Sequence, residues 1–113
     1  MELYDYICNM KGNGLMNITK NIEDKNLTIK IEGRVDTLTS PELEKAIKDS
    51  EAEIESLFLD FTDVQYISSA GLRVLLSAHK VMSKKGGMKV RNANEDIMEI
   101  FEVTGFLDIL NIE

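Results

Sequence analysis

Leu57-Phe58-Leu59-Asp60-Phe61-Thr62-Asp63-Val64-Gln65-Tyr66-Ile67-Ser68-Ser69-Ala70-Gly71-Leu72 is the stretch that decides the fold. Its first five residues form a short, nearly continuous apolar run, the pattern of an interior strand buried on both faces. Past Ile67 the period changes. Leu72, Leu75, Leu76 and Met82 trace a buried helical stripe, so a strand hands over to a helix at Ser68-Ser69-Ala70-Gly71. Lys84 and Lys85 complement the C-terminal dipole of that helix, and Gly86-Gly87 supplies a left-handed stop.

Upstream, Ile18, Lys20 and Ile22 alternate with polar residues, Asp24-Lys25-Asn26 is a turn, and Leu27, Ile29 and Ile31 form a second alternating run. Together they predict a hairpin that ends at Gly33. Ser40 before Pro41 predicts a capped helix start, with Thr39 and Glu42 as an alternative capping box. Leu43, Ala46, Ile47 and Ile54 then share one helical face. Downstream, Met88–Arg91 is a brief strand, and Asn94 caps a third helix with Ile97, Ile100 and Phe101 inward and Gly105 at its end. Phe106–Ile112 is a last strand or extended segment. Strands alternating with helices predict an α/β sheet with helices packed on it.

A chain of 113 residues fits one domain, and a 43% apolar content supports a compact core. Residues 1–15 differ from the rest: Lys11-Gly12-Asn13-Gly14 is turn-forming, and Met16 opens the first clean strand pattern. They are expected to be an N-terminal extension to a domain spanning 16–113, and a misassigned start codon, with Met16 as the true start, would account for them. The formal net charge of −7 argues against nucleic acid, whose binders need a basic face, and equally against an anionic membrane surface. No apolar run approaches the roughly 20 residues a bilayer span needs, and the acidic N-terminus lacks the pattern of a secretory leader. The cytoplasm is the expected compartment. Cys8, the single cysteine, excludes an internal disulfide and a cysteine zinc cluster.

Catalysis finds little support. A nucleophilic Ser69 would need a base, but His79, the only histidine, lies ten residues on in the same helix. At 1.5 Å rise per residue the two are roughly 15 Å apart, against the ~3 Å a serine–histidine pair requires. Glu42, Glu44, Asp49, Glu51, Glu53 and Glu55 form the solvated side of a helix and its exit, without calcium-loop spacing. Gly12-Asn13-Gly14 lacks the strand-to-helix context of a phosphate loop. Asp60 and Asp63, flanking a strand end, suit turn capping better than acid–base chemistry. There remains Ser68-Ser69-Ala70-Gly71, with two readings. It is an ordinary helix cap, or it displays a switchable serine where free amides and helix polarity favour an anion.

The stretch from Asp60 to Leu72 resembles the signature of the STAS domain in bacterial anti-sigma factor antagonists. Gly33-Arg34-Val35-Asp36 and Phe101-Glu102-Val103-Thr104-Gly105-Phe106 extend the resemblance, in order, over Met16 to Ile112. It implies a small mixed β-sheet with helices packed mainly on one side and no cofactor. It further implies binding to an anti-sigma factor serine kinase of histidine-kinase-like ATPase fold. Phosphorylation releases that partner, and a PP2C-type phosphatase removes the mark. The implied acceptor is Ser69, two positions before Gly71, with Ser68 as runner-up; Asp36, Ser68, Ser69, Ala70 and Gly71 form the implied partner surface. Relatives carry aspartate where this chain has Ser68, and serine or threonine where it has Ala70, so a carboxylate is lost beside Ser69 and a second hydroxyl gained. A constitutive STAS scaffold or regulatory subunit, indifferent to Ser69, is the alternative.

Overall fold

Six strands form one mixed sheet in the order β1 to β6 in a computed structural model that describes residues 2–4 and 16–113. The elements are β1 (Glu2–Tyr4), β2 (Met16–Glu23), β3 (Asn26–Val35), α1 (Ser40–Glu51), β4 (Ser56–Ile67), α2 (Ser69–Met82), β5 (Met88–Arg91), α3 (Glu95–Thr104) and β6 (Asn111–Ile112). β1, β2 and β3 pair antiparallel; β3 to β6 run parallel. Each parallel pair is joined by a helix and the order advances one strand at a time. Right-handed crossovers therefore lay the helices on the same face, as the fold class expected. Of the extension expected over 1–15, all but Glu2–Tyr4 lies outside the described residues, as do Cys8 and Gly12-Asn13-Gly14.

One-sided covering corrects the expected double burial of β4. Leu57, Leu59 and Phe61 are fully buried, whereas Phe58 and Asp60 point to the helix-free face and are only half-buried. The Arg91 guanidinium lies 4.2 Å from the centre of the Phe58 ring and covers it in place of a helix. The inward residues of β2, β3 and β5 (Met16, Ile18, Leu27, Ile29, Ile31, Met88 and Val90) complete the core floor. Phe101 of α3 meets Phe61 with ring centres 6.3 Å apart.

The β2–β3 hairpin closes more tightly than expected, on Asp24-Lys25 alone, because Glu23 pairs with Asn26 and Asp24 takes the left-handed conformation (φ 59°). β3 runs past Gly33 to Val35. At Gly33 (φ 104°) the register shifts, which lets the strand bend and still pair with β4 to its end. Ser40 is not the cap of α1: it is the first helical residue, and Thr39 stands at the cap position without a side-chain cap bond. The Thr39 hydroxyl is engaged elsewhere, donating to the Arg34 carbonyl (2.8 Å) and accepting from the Asp36 amide (2.8 Å). Ile54 is buried just beyond the end of α1. α2 ends at Met82, before the glycine pair, and Lys85 turns back to donate to the Glu51 and Ile54 carbonyls at the exit of α1. Its buried stripe includes Val74 and Ala78 in place of the half-exposed Leu76. Asn94 caps α3 as expected, accepting from the Ile97 amide at 2.9 Å, and Gly105 (φ 83°) ends it. Phe106–Asp108 is a 3-10 turn, so the last strand shrinks to two residues.

Lys20 breaks the apolar floor. It faces α1 with 8% of its surface exposed, and its Nζ donates to the Ala46 carbonyl and the Ser50 hydroxyl, both at 2.9 Å. Burial pushes its pKa below the usual 10.5, with Asp49 partly opposing. The unfolded chain holds this proton up to about 10.5, and the folded chain releases it at lower pH. Folding therefore gains stability as pH rises through that window and loses it as pH falls back. Lys20→Met keeps the volume without the buried charge, and at pH 7 its stability should lie within about 1 kcal/mol of the natural protein or above it. Urea unfolding at pH 7, 9 and 10 should show that difference moving in favour of the natural protein with rising pH; a pH-independent difference would mean that Lys20 is not desolvated.

Candidate functional site

The site grows from the paired ends of β3 and β4. Arg34 lies opposite Tyr66 and Val35 opposite Ile67, so the chain after Val35 and the start of α2 leave the sheet side by side. The Ser68 amide donates to the Val35 carbonyl at 2.8 Å, fastening one to the other. Ser68 is extended (φ −95°, ψ 177°) and is the N-cap of α2, its Oγ accepting from the Gly71 amide at 3.4 Å. Gly71 itself is buried. A Cβ there would lie 2.7 Å from Ile67 Cγ1 and 2.8 Å from Val35 Cγ1, closer than side chains approach. Only a residue without a side chain lets α2 start so near the strand ends.

The result is an asymmetric pair of serines. Ser68 is half-buried with its hydroxyl engaged as a cap. Ser69 is the first helical residue and exposed, and its hydroxyl makes no hydrogen bond to a described residue. No acidic side chain lies in the first turn of α2, so its positive end is not offset from within the helix. Ala70 is half-buried beside it.

Asp36 comes to the same edge, but its carboxylate is occupied. Oδ1 accepts from the Leu38 and Thr39 amides at 3.0 and 3.1 Å, an Asx turn that shapes the approach to α1, while Oδ2 lies 3.8 Å from Arg34 Nε. Arg34 in turn stacks on Tyr66, 4.5 Å from the ring centre. Two apolar groups not singled out in the sequence project from this region: Leu38, 71% exposed, and the partly exposed Tyr66. Leu38 stands between two threonines in a strand-to-helix loop and fits neither period, which was the available signal. Ser40, Pro41 and Glu44 of α1, with Ala70, Arg73, Val74 and Ser77 of α2, line a shallow groove between the two helices.

The residues set aside earlier stay apart. α2 is unbroken from Ser69 to Met82, so His79 is on the same rod as Ser69, and its buried Nδ1 has no hydrogen-bond partner among the described residues. Asp60 and Asp63 lie within β4, not at its end. Burial disfavours the charged form of Asp60, but bonds from the Thr62 hydroxyl (2.6 Å), the Thr62 amide and Asn92 outweigh it and hold the carboxyl below the usual range. Asp63 meets Lys30 at 3.6 Å. Among the described residues no group of three or more His, Cys, Asp or Glu side chains could hold a metal ion, and no helix is long and apolar enough to cross a membrane.

A mixed sheet covered on one face, with a glycine-clamped helix displaying a serine at the sheet edge, defines a small α/β module. Residues 17–113 match the STAS domain family, and the chain belongs to it. It is 29% identical over 100 residues to the anti-sigma-B factor antagonist of Bacillus subtilis, spanning 86% of this chain and 92% of that protein. An anti-sigma factor antagonist from Mycobacterium paratuberculosis has a similar structure, with a TM-score of 0.78 at 22% identity over 86% of this chain and 84% of that one. The Bacillus cell fate determinant SpoIIAA in its phosphorylated form shares the fold, with a TM-score of 0.68 at 12% identity over 85% and 90% of the two chains.

The clamp makes a quantitative statement. Alanine at 71 gains up to about 1 kcal/mol of helix propensity but overpacks the strand ends by ~1–3 kcal/mol. Gly71→Ala should therefore lose about 1 kcal/mol net in urea unfolding, while exposed Ser69→Ala stays within about 0.5 kcal/mol. A Gly71→Ala protein as stable as the natural one would show that the close approach does not hold the helix in place.

Proposed function

We propose that this protein is an anti-sigma factor antagonist whose switch is Ser69. It acts by binding an anti-sigma factor that is also a serine kinase of histidine-kinase-like ATPase fold. The contact surface is built from Ser68, Ser69, Ala70 and Gly71 with the Asp36 loop beside them. Phosphorylation of Ser69 releases the partner, and a PP2C-type phosphatase restores binding. The carrying observation is the exposed hydroxyl of Ser69, bonded to no described residue, at a clamped helix start whose first turn holds no acidic side chain. The names of the curated relative from Bacillus subtilis and of the phosphorylated structural neighbour support the assignment.

The physics favours a switch. A phosphate carries about −1.5 to −2 charges at neutral pH, and the helix end offsets it within the domain by ~0.3–1 kcal/mol. The isolated protein thus tolerates the mark. A partner seated over Ser69 must desolvate that charge, at a cost of several kcal/mol, and each 1.4 kcal/mol is about tenfold in affinity. Ser69 is preferred over Ser68 because its hydroxyl is uncommitted, whereas Ser68 would give up its cap bond, typically ~1 kcal/mol, to be modified. Asp36 supports the surface by shaping its loop.

Incubation with the cognate kinase and ATP should add one phosphate, seen by mass spectrometry, and Ser69→Ala should abolish it while Ser68→Ala retains it. Ser69→Asp should weaken kinase binding by roughly tenfold to a hundredfold in calorimetry. Undiminished modification of Ser69→Ala would move the acceptor elsewhere. Unaltered partner binding by Ser69→Asp would favour a constitutive STAS scaffold.

A further inference from the structure

A second surface lies on α3, made of residues the Ser69 site does not use. Ala93, Glu95, Met98, Glu99, Glu102 and Leu107 line an open groove, apolar along its floor and acidic along its rim. Leu107 of this lining is 37% exposed, and Val103 (76%) on α3 and Ile109 (42%) just after it are exposed too, so three of the five large exposed hydrophobics among the described residues belong to α3 and the segment that follows it.

The charges are not explained by the helix itself. Glu95 and Asp96 sit in its first turn, where acids favour the dipole. Glu99 and Glu102 sit further along, one of them in the last turns, where the dipole opposes a negative charge and no basic side chain offsets it. They are also three residues apart, a spacing at which like charges repel. None of Glu95, Glu99 and Glu102 is ion-paired with a described residue, although lysines elsewhere on the surface are drawn into pairs. An acidic edge that costs its own helix stability beside exposed apolar side chains is matched by a ligand carrying the complementary pattern.

We infer that the α3 groove docks a basic amphipathic segment of a partner protein, whose apolar residues meet Met98, Leu107 and Val103 and whose lysines or arginines meet Glu95, Glu99 and Glu102. The contact joins an apolar floor, which supplies affinity, to a charged rim, which supplies orientation and encounter rate. It does not require Ser69 to be a switch, because Ser69 takes no part in it.

The probe is a synthetic amphipathic helix of leucine and lysine, titrated into the full-length, isotopically labelled protein and followed by amide chemical shifts. Saturable shifts should concentrate between Ala93 and Ile109. Glu99→Lys with Glu102→Lys should weaken binding by roughly tenfold, while Glu23→Lys with Glu55→Lys, an equal charge change elsewhere, should leave it nearly unchanged. The α3 variant should melt no lower than the natural protein, since lysine suits the helix end better than glutamate, which separates lost docking from lost folding. Ser69→Asp should bind the probe as well as the natural protein does. Equal weakening by both double variants would show net charge alone at work and overturn the assignment. So would shifts centred on the α1–α2 groove, or concentration-dependent shifts at α3 without probe, which would make a second copy the occupant.

Discussion

The close approach of Gly71 to Val35 and Ile67 is the constraint from which the rest of the site follows. The end of β3, the end of β4 and the start of α2 converge there, and the bond from the Ser68 amide to the Val35 carbonyl closes the junction. A side chain at 71 would push the helix outward and tilt the axis on which Ser69 is displayed. With glycine in place, the first turn of α2 is positioned directly by the ends of β3 and β4 and not by a loop. The neighbouring Asp36 turn is fixed in a comparable way, through carboxylate bonds to two amides and the Thr39 hydroxyl's hold on Arg34. Two adjacent loops are thus organised before any partner arrives, so little conformational entropy is lost on binding.

In the proposed switch, rigid presentation is what would make a single charge at Ser69 decisive. If the serine were on a mobile loop, a phosphate could swing into solvent and the partner could bind around it. On a clamped helix start the charge would stay inside the proposed contact, where its desolvation could not be avoided. The same geometry protects the domain, since helix amides stabilise the added charge locally. On that proposal the folded state would be nearly indifferent to a phosphate at Ser69, to which a complex seated over it would be acutely sensitive.

Much of this was legible in the sequence because it is local. The change from period two to period 3.6 around Ser68, the Asn94 cap and the Gly105 stop each depend on neighbours a few residues away, and they appear where the pattern places them. What was not legible depends on distant partners. The run Leu57–Phe61 is as apolar as a doubly buried strand, yet Phe58 and Asp60 turn to the helix-free face, where Arg91, some thirty residues on, covers Phe58 in place of a helix. Lys20 shares the period-two face of Ile18 and Ile22, so the alternation turns it inward without saying what satisfies its charge. Its burial is possible because the Ala46 carbonyl and the Ser50 hydroxyl of α1 accept hydrogen bonds from its ammonium group. The Thr39 hydroxyl has a cap's chemistry, but a carbonyl five residues earlier takes it. At the site, the resemblance puts Ser69 ahead of Ser68, and what the fold adds is the physical difference: Ser68 is engaged as a cap, while the Ser69 hydroxyl bonds to no described residue.

The one-sided sheet also explains why binding surfaces gather where they do. Every helix spends its apolar stripe on the same sheet face, so what remains for partners is the sheet edge where the helices begin and the outer surfaces of the helices themselves. β3, β4 and β5 are parallel, which puts the starts of α1, α2 and α3 along one edge. Ser69 lies in the middle of that edge and the α3 groove opens toward one end of it, at Ala93 and Glu95. Their chemistries are opposite in sign: a helix start ready for negative charge, and a groove whose rim repels it. A phosphate at Ser69 therefore has no affinity for the groove, and a basic segment in the groove has no reason to mask the serine. Parallel topology thus lets a small domain carry two surfaces of different polarity without mixing their ligands.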